Sequence, residues 1–159
     1  ESAKGVFKLL SIYDYLIQKK LDFQLNIVGN GPDLKELKER FKHADQVSFY
    51  TDVDTPAKVK EKLIHSDILV VTSNFEGGPL VVYEAMACGV VPITFRVGNV
   101  ANIIENEQNG FIVEQYDIQQ MNQRIEELFK DRKQLNNLSQ KVKTLRSQIL
   151  FSYLHYAMP

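Results

Sequence analysis

Apolar and polar positions along the chain alternate with two different periods, and these divide it into short units. Where apolar residues recur every three or four positions, the spacing predicts amphipathic helices. The first covers about Ala3 to Lys19, with Val6, Leu9, Leu10, Tyr13, Leu16 and Ile17 as its apolar face. Leu34, Leu37 and Phe41 mark a second, and Val59, Leu63 and Ile64, after Pro56, a third. Between them lie compact apolar runs of the kind that form buried parallel strands: Phe23 to Val28, Gln46 to Tyr50, Asp67 to Val71, Val90 to Phe95 and Phe111 to Val113. Pro92 falls early in the fourth run and is not expected to be central to the hydrogen-bond ladder. Gly98-Asn99 begins a loop in which Val100, Ile103 and Ile104 suggest one or two helical turns, and Asn109-Gly110 is a strong turn signal. Asp117 is expected to cap a helix whose inward face is Ile118, Met121, Ile125, Leu128 and Phe129. A final helix carries Leu135, Leu138, Val142, Leu145 and Ile149.

Strands alternating with helices throughout predict an α/β fold, a Rossmann-like doubly wound parallel sheet with helices on both faces. A length of 159 residues suits a single domain closed by helices over about 117–155. Ligands of such sheets collect at the carboxyl ends of the strands. The loops at 29–32, 72–79 and 96–100 all leave such ends, so they are expected to line one crevice.

The chemistry concentrates in the second of these loops and the helix after it. Gly77 and Gly78 break the chain after the strand at Asp67, and Pro79 restarts it as the first residue of a helix. That helix is expected to bury Leu80, Tyr83 and Ala87 and to end at Gly89. The first turn of a helix offers backbone N–H groups and a positive dipole end, which suit an anion such as a diphosphate. Gly77 and Gly78 carry no Cβ, so a phosphate can approach the backbone closely. Glu76 precedes the helix and Glu84 lies roughly 8 Å along it from Pro79, at about 1.5 Å per residue. Carboxylates on either side of a diphosphate suit the vicinal hydroxyls of two sugars. The ligand with that layout is a nucleoside-diphosphate sugar.

Composition narrows the field. A hydrophobic fraction of 44% with 25% charged residues is that of a globular core, and a net charge of −1 argues against a nucleic-acid partner. The one cysteine, Cys88, excludes an internal disulfide, favours a reducing compartment and reads as a small buried hydrophobe. His43, His65 and His155 are too far apart to suggest a metal site, so no metal is expected. No apolar run approaches the ~20 residues of a membrane span, and no signal peptide is visible. The expected location is the cytoplasm, with peripheral attachment at the inner face of the membrane left open. Gly29-Asn30-Gly31 follows a strand as a dinucleotide fingerprint would, but Leu34 occupies the place of its third glycine and no acidic residue ends the next strand.

The run Glu76-Gly77-Gly78-Pro79-Leu80-Val81-Val82-Tyr83-Glu84-Ala85-Met86-Ala87-Cys88-Gly89 resembles the Glu-(any seven)-Glu signature of the retaining glycosyltransferases of family 4, the group 1 glycosyl transferases. The resemblance covers nearly the whole chain from Lys4 and is strongest between Asp67 and Pro92. It implies the C-terminal, donor-binding half of a GT-B fold lacking its first strand. The implied activity is transfer of a hexose from a nucleoside-diphosphate sugar to an acceptor hydroxyl, with retention and without a cofactor, in surface polysaccharide or glycoconjugate synthesis. Glu76 would contact the transferred sugar as the catalytic residue, Glu84 the ribose, and the backbone at Leu80 and Val81 the diphosphate. Lys4, of the pair Lys4-Gly5, would neutralise the diphosphate, while Gly29 and Gly31 would neighbour the nucleotide. Gly98 resembles part of a Gly-Gly turn bordering the sugar, here Gly98-Asn99, and Asn102 stands where the family often has glutamate. A saccharide or lipid-linked acceptor would be met by another domain, and a sheet lacking its first strand is expected to self-associate or to leave a disordered N-terminus. Two alternatives remain: a nucleotide-sugar epimerase of the same fold, and a binding or structural domain without activity.

Overall fold

Each apolar run becomes a strand, and helical segments separate the strands. The computed structural model describes residues 4–77 and 80–145. In chain order the described elements are α1 (Lys8–Gln18), β1 (Leu25–Val28), α2 (Leu34–Arg40), β2 (Val47–Tyr50), α3 (Pro56–Leu63), β3 (Ile68–Val71), α4 (Leu80–Ala87), β4 (Val91–Phe95), a 3-10 turn at Val100–Asn102, β5 (Phe111–Val113), α5 (Ile118–Lys130) and α6 (Arg132–Thr144). Every strand pairing is parallel, with Leu25 opposite Val47, Ile68 opposite Val91, and Ile93 opposite Phe111. The fold is α/β, as the alternation predicts.

The parallel sheet is interrupted. It forms two hydrogen-bonded parts, β1–β2 and β3–β4–β5. No described strand pairs with the outer edge of β1 or β3, so no ladder among the described residues joins the two parts. Helix α1 makes the join. Ile12 and Leu16 enter the main core with Val91, Ile93 and Phe95 of β4, while the Tyr13 ring stands edge-on to Phe41, 5.2 Å between centroids, beside β1–β2.

Strand β4 is central to its part, and all five of its residues are buried. Pro92 is tolerated there for a reason visible in the register. Val91 donates to Asp67 on the β3 side and Arg96 to Val113 on the β5 side. Even-numbered residues therefore point their nitrogens toward β5, which begins only opposite Ile93. The proline's missing N–H falls where no ladder bond is due.

Several inward faces need correction. Helix α1 starts at Lys8 rather than near Ala3, because Gly5 adopts φ +58°, outside any right-handed helix. Its fully buried residues are Lys8, Ile12 and Leu16; of the expected face, Val6, Leu9, Leu10 and Tyr13 pack partly buried against the cores and Leu16 fully, while Ile17 is exposed. Ile64 is exposed too, lying just past the end of α3. Helix α4 buries Val82, Tyr83, Ala85 and Met86, since it packs on Val71, Ile104 and Val142 on one side and on Leu63 and Val90 on the other. Leu80 is left 41% exposed. Cys88 is half-buried rather than buried.

The helix boundaries follow their caps. Asp117 accepts from the Gln120 backbone N–H at 2.9 Å and Asp131 from that of Gln134 at 2.8 Å. Gly89 ends α4 at φ +81°. Leu135, Leu138 and Val142 are buried on α6, as predicted. Ile149 lies outside the described residues.

Candidate functional site

The site is built on the loop between β3 and α4. Past Val71 the chain passes through Thr72 and Ser73, both buried, to Asn74, Phe75, Glu76 and Gly77. The Glu76 carboxylate is fixed through one oxygen: Oε1 accepts from Lys4 Nζ at 2.6 Å and from Ser73 Oγ at 2.7 Å. No bond among the described residues engages Oε2, which leaves it to accept from a ligand hydroxyl. Lys4, the expected partner of a diphosphate, is mostly exposed and spans to Glu76.

Two glycines grip this loop. Gly5 has φ +58°, and a Cβ there would lie 2.1 Å from the Thr72 carbonyl oxygen. Gly98 has φ +52°, and its Cβ would lie 2.1 Å from the Glu76 carbonyl oxygen. Only glycine supplies both the left-handed turn and the close approach. Gly98 thereby presses the exit of β4 against the exit of β3, as a shared crevice requires.

Helix α4 opens with Leu80, and Glu84 follows four residues later on the same face. Partial burial pushes the Glu84 carboxyl above its ordinary value, and no described side chain donates to it. Such a group gains most from hydroxyl donors brought by a ligand. Val81 is half-buried, and the space beside Gly77 is open: a Cβ there would meet no atom within 4 Å. Gly78 and Pro79 lie outside the described residues.

Gly29 and Gly31 stand at the carboxyl end of β1, where the Gly29 N–H closes the ladder on Tyr50 O at 2.9 Å. A Cβ on either would also meet open space. They belong to the two-stranded part, and no described hydrogen bond ties them to the Glu76 loop. The structure thus brings together Lys4, Glu76, Gly77 and Gly98, with Leu80, Val81 and Glu84 on the adjoining helix. Gly29 and Gly31 remain on a separate strand end.

Four further residues escaped the sequence reading. Ser73 buttresses Glu76. Lys8 donates to Asn74 Oδ1 at 2.6 Å, and Gln115 Nε2 donates to the Asn74 carbonyl at the same distance. Lys8 was legible in principle, because Lys8, Ile12 and Leu16 recur at intervals of four and a lysine heading an apolar stripe is unusual. Asn74 and Gln115 left no such signal.

Comparison with known proteins identifies the family and the fold. The family model for glycosyl transferases group 1 matches residues 1–145. The chain belongs to that family. An uncharacterized glycosyltransferase of Haemophilus influenzae is 35% identical over 121 residues, 76% of this chain and 34% of the relative. The N-acetyl-alpha-D-glucosaminyl L-malate synthase of Bacillus anthracis is 31% identical over 130 residues, 80% of this chain and 33% of the relative. This group 1 chain therefore spans about a third of the length of the curated relatives it matches. Among solved structures, the C-terminal domain of a group 1 protein, LpcC of Francisella tularensis, has a TM-score of 0.81 at 25% identity, covering 93% of this chain and 80% of that one. Anabaena HepE in complex with UDP-glucose has the same fold, with a TM-score of 0.78 at 21% identity, covering 98% of this chain and 44% of that one.

His43 and His65 both lie between a helix and the following strand, at the amino ends of β2 and β3. An epimerase histidine would have to stand at the opposite edge; His155 lies outside the described residues. Among the described residues no group of three His, Cys, Asp or Glu side chains is placed to hold a metal ion. No helix among them is long and apolar enough to cross a membrane.

Proposed function

We propose that this chain is the donor-binding domain of a glycosyltransferase that moves a hexose from a nucleoside-diphosphate sugar to an acceptor hydroxyl with retention. The observation that carries the reading is Glu76, pinned through Oε1 at the head of α4 with Oε2 left available. The diphosphate would lie at the start of α4, against the N–H groups of Leu80 and Val81 and the open space at Gly77, with Lys4 and the helix dipole offsetting its charge. Glu76 would accept a hydroxyl of the transferred sugar as the catalytic residue, and Glu84 the ribose hydroxyls. Gly98 would border the sugar, and Gly29 and Gly31 the nucleoside. As the bond to the leaving diphosphate breaks, charge grows where those donors already point, and fixed dipoles stabilise it without reorganising. The residues in hand ask for no metal to do this.

The donor reading has a direct test. Titration of the protein with UDP, GDP and ADP should shift the backbone amide resonances of Gly77, Leu80 and Val81. No perturbation up to millimolar nucleotide in a folded sample overturns it. In the intact protein, Glu76→Gln should lower transfer by about a hundredfold or more, as loss of a group aimed at the reacting centre does. Retained transfer would instead leave a binding scaffold.

Relatives support the finer roles we assign. Anabaena HepE is seen with UDP-glucose, and LpcC and WaaG are group 1 or lipopolysaccharide-related proteins. By analogy we assign a saccharide or lipid-linked acceptor, held by another part of the protein, and a role in surface polysaccharide synthesis at the cytoplasmic face of a membrane. The unpaired outer edges of β1 and β3 would recruit a further strand, so the isolated chain should self-associate; a strictly monomeric profile by light scattering would exclude it.

A further inference from the structure

Asn99 stands past the exit of β4 and heads the 3-10 turn at Val100–Asn102. An asparagine in that place ordinarily turns its side-chain oxygen onto the free N–H groups of the turn. This one does not. Its backbone carbonyl accepts from the Asn102 N–H at 2.9 Å, while its side chain makes no cap bond. The Oδ1 atom is withdrawn from water, and no hydrogen bond among the described residues reaches it. A buried acceptor left unpaired costs stability, and an apolar side chain at the same place would not incur that cost. Capping therefore does not account for the residue. The other such oxygen among the described residues, on Asn122, lies on the buried face of α5.

Both neighbours fix where Asn99 stands. Gly98 is pressed so closely on the Glu76 turn that a Cβ would lie 2.1 Å from the Glu76 carbonyl oxygen and 3.0 Å from that of Gly77. Val100, on the other side, is fully buried in the main core. The backbone of Asn99 is thus held beside the loop that carries Glu76. We propose that Asn99 is a specificity-determining residue for the donor sugar, its amide oxygen accepting from a hydroxyl of the transferred sugar. The residue is half-buried and the last torsion of an amide is soft, so a turn of the amide presents the oxygen to the crevice. Glu76 Oε2 and Asn99 Oδ1 then offer acceptors from two adjoining loops. A sugar with no hydroxyl toward Asn99 leaves the amide unpaired, and that penalty discriminates between sugars of similar size. The inference rests on the donor reading above and deepens it, by naming a side chain that reads the sugar rather than the diphosphate.

The test uses Asn99→Ala and Asn99→Asp in the intact protein, neither of which removes a described side-chain hydrogen bond. UDP-glucose, UDP-galactose, UDP-N-acetylglucosamine and GDP-mannose are titrated calorimetrically beside bare UDP and GDP, with thermal melts in parallel. The quantity read is the affinity for a sugar nucleotide relative to its bare diphosphate. For the sugar nucleotide that the wild type binds best, Asn99→Ala should lower this ratio about five- to tenfold, the size of one hydrogen bond. Its lead over the other three should shrink in step, and the melting temperature should stay level or rise. Asn99→Asp keeps an acceptor in place; its charge weakens sugar nucleotide and bare diphosphate alike, so the ratio should stay near that of the wild type. An unchanged ratio in Asn99→Ala, or an equal fall in both variants, makes Asn99 a plain turn residue and overturns the proposal while the donor reading stands. So does a wild type that binds UDP or GDP but none of the four sugar nucleotides. If the wild type binds neither diphosphates nor sugar nucleotides, both fall.

Discussion

The two parts of the sheet are made very differently. In β3–β4–β5 the middle strand is buried over its whole length, and it shares one core with residues of α1, α5 and α6. In β1–β2 only Ile27 is buried, and the four residues of β2 are all half-exposed. What holds this smaller part is a cluster of Ile27, Leu37 and Phe41, extended by Tyr13 and Phe49. The site is divided along the same line. Glu76, Glu84 and Gly98, the residues proposed to meet the two sugars of the donor, stand on the densely packed part. Gly29 and Gly31, which offer only backbone and space, stand on the thin one. The difference teaches that the candidate donor residues are split between a densely packed part and a thin one, with both carboxylates on the first.

The contrast is easiest to break with matched core truncations. Ile93→Ala in β4 should cost about 4–5 kcal/mol and Ile27→Ala in β1 about 2, the two ends of the range for such changes. Equal shifts in denaturation midpoint would show the two parts to be alike. Next in size is Gly98→Ala, which imposes a left-handed backbone on alanine and drives its Cβ into the Glu76 carbonyl. It should cost about 1–3 kcal/mol of stability and weaken nucleotide-sugar binding more than Gly31→Ala, whose Cβ meets open space. A reversed order in a binding titration would move the sugar to the other part. Hydrogen exchange should then separate the two parts without mutation: amides of β1 and β2 should open locally, and those of β4 only with global unfolding.

Much of this layout could be read from the residues alone, and the failures have physical causes. Strand runs rich in β-branched residues, the Asp117 cap and the Gly89 terminus are local signals, and each stands where the pattern put it. So does the loop bearing Glu76. The split of the sheet was legible only through the family resemblance, which implies a missing first strand, because an unpaired ladder edge is a property of neighbours in space and leaves no local mark. On α1 only the edges of the inward face differ from the pattern, because Lys8 counts as polar and Ile17 as apolar, whereas burial treats them in the opposite way. Asn74 and Gln115 join the site through partners distant in sequence, a relation no spacing rule reports.

The smallest expected effect lies on the seam where α1 meets α5. Tyr15 donates to Glu126, and Lys130 and Lys19 pair with it from either side. The hydrogen bonds from Lys130 and Tyr15 hold the Glu126 carboxyl down at about 2, below its ordinary 4.5. A carboxyl lowered on folding adds stability above its unfolded value, and that contribution is lost as pH falls from about 4.5 toward 2. Glu126→Gln should flatten this acid limb in melts recorded against pH, and Glu84, shifted upward, should work the other way: Glu84→Gln should gain slightly at neutral pH. An acid limb unchanged by Glu126→Gln would mean the seam contributes nothing to joining the two parts.

Phe75 stands in the same turn as Glu76, 77% exposed. Its ring has few neighbours to lose, and the chain contains no tryptophan. Phe75→Trp would therefore install a lone indole one peptide bond from the carboxylate, giving a fluorescent signal for ligand arrival free of background from the rest of this sequence.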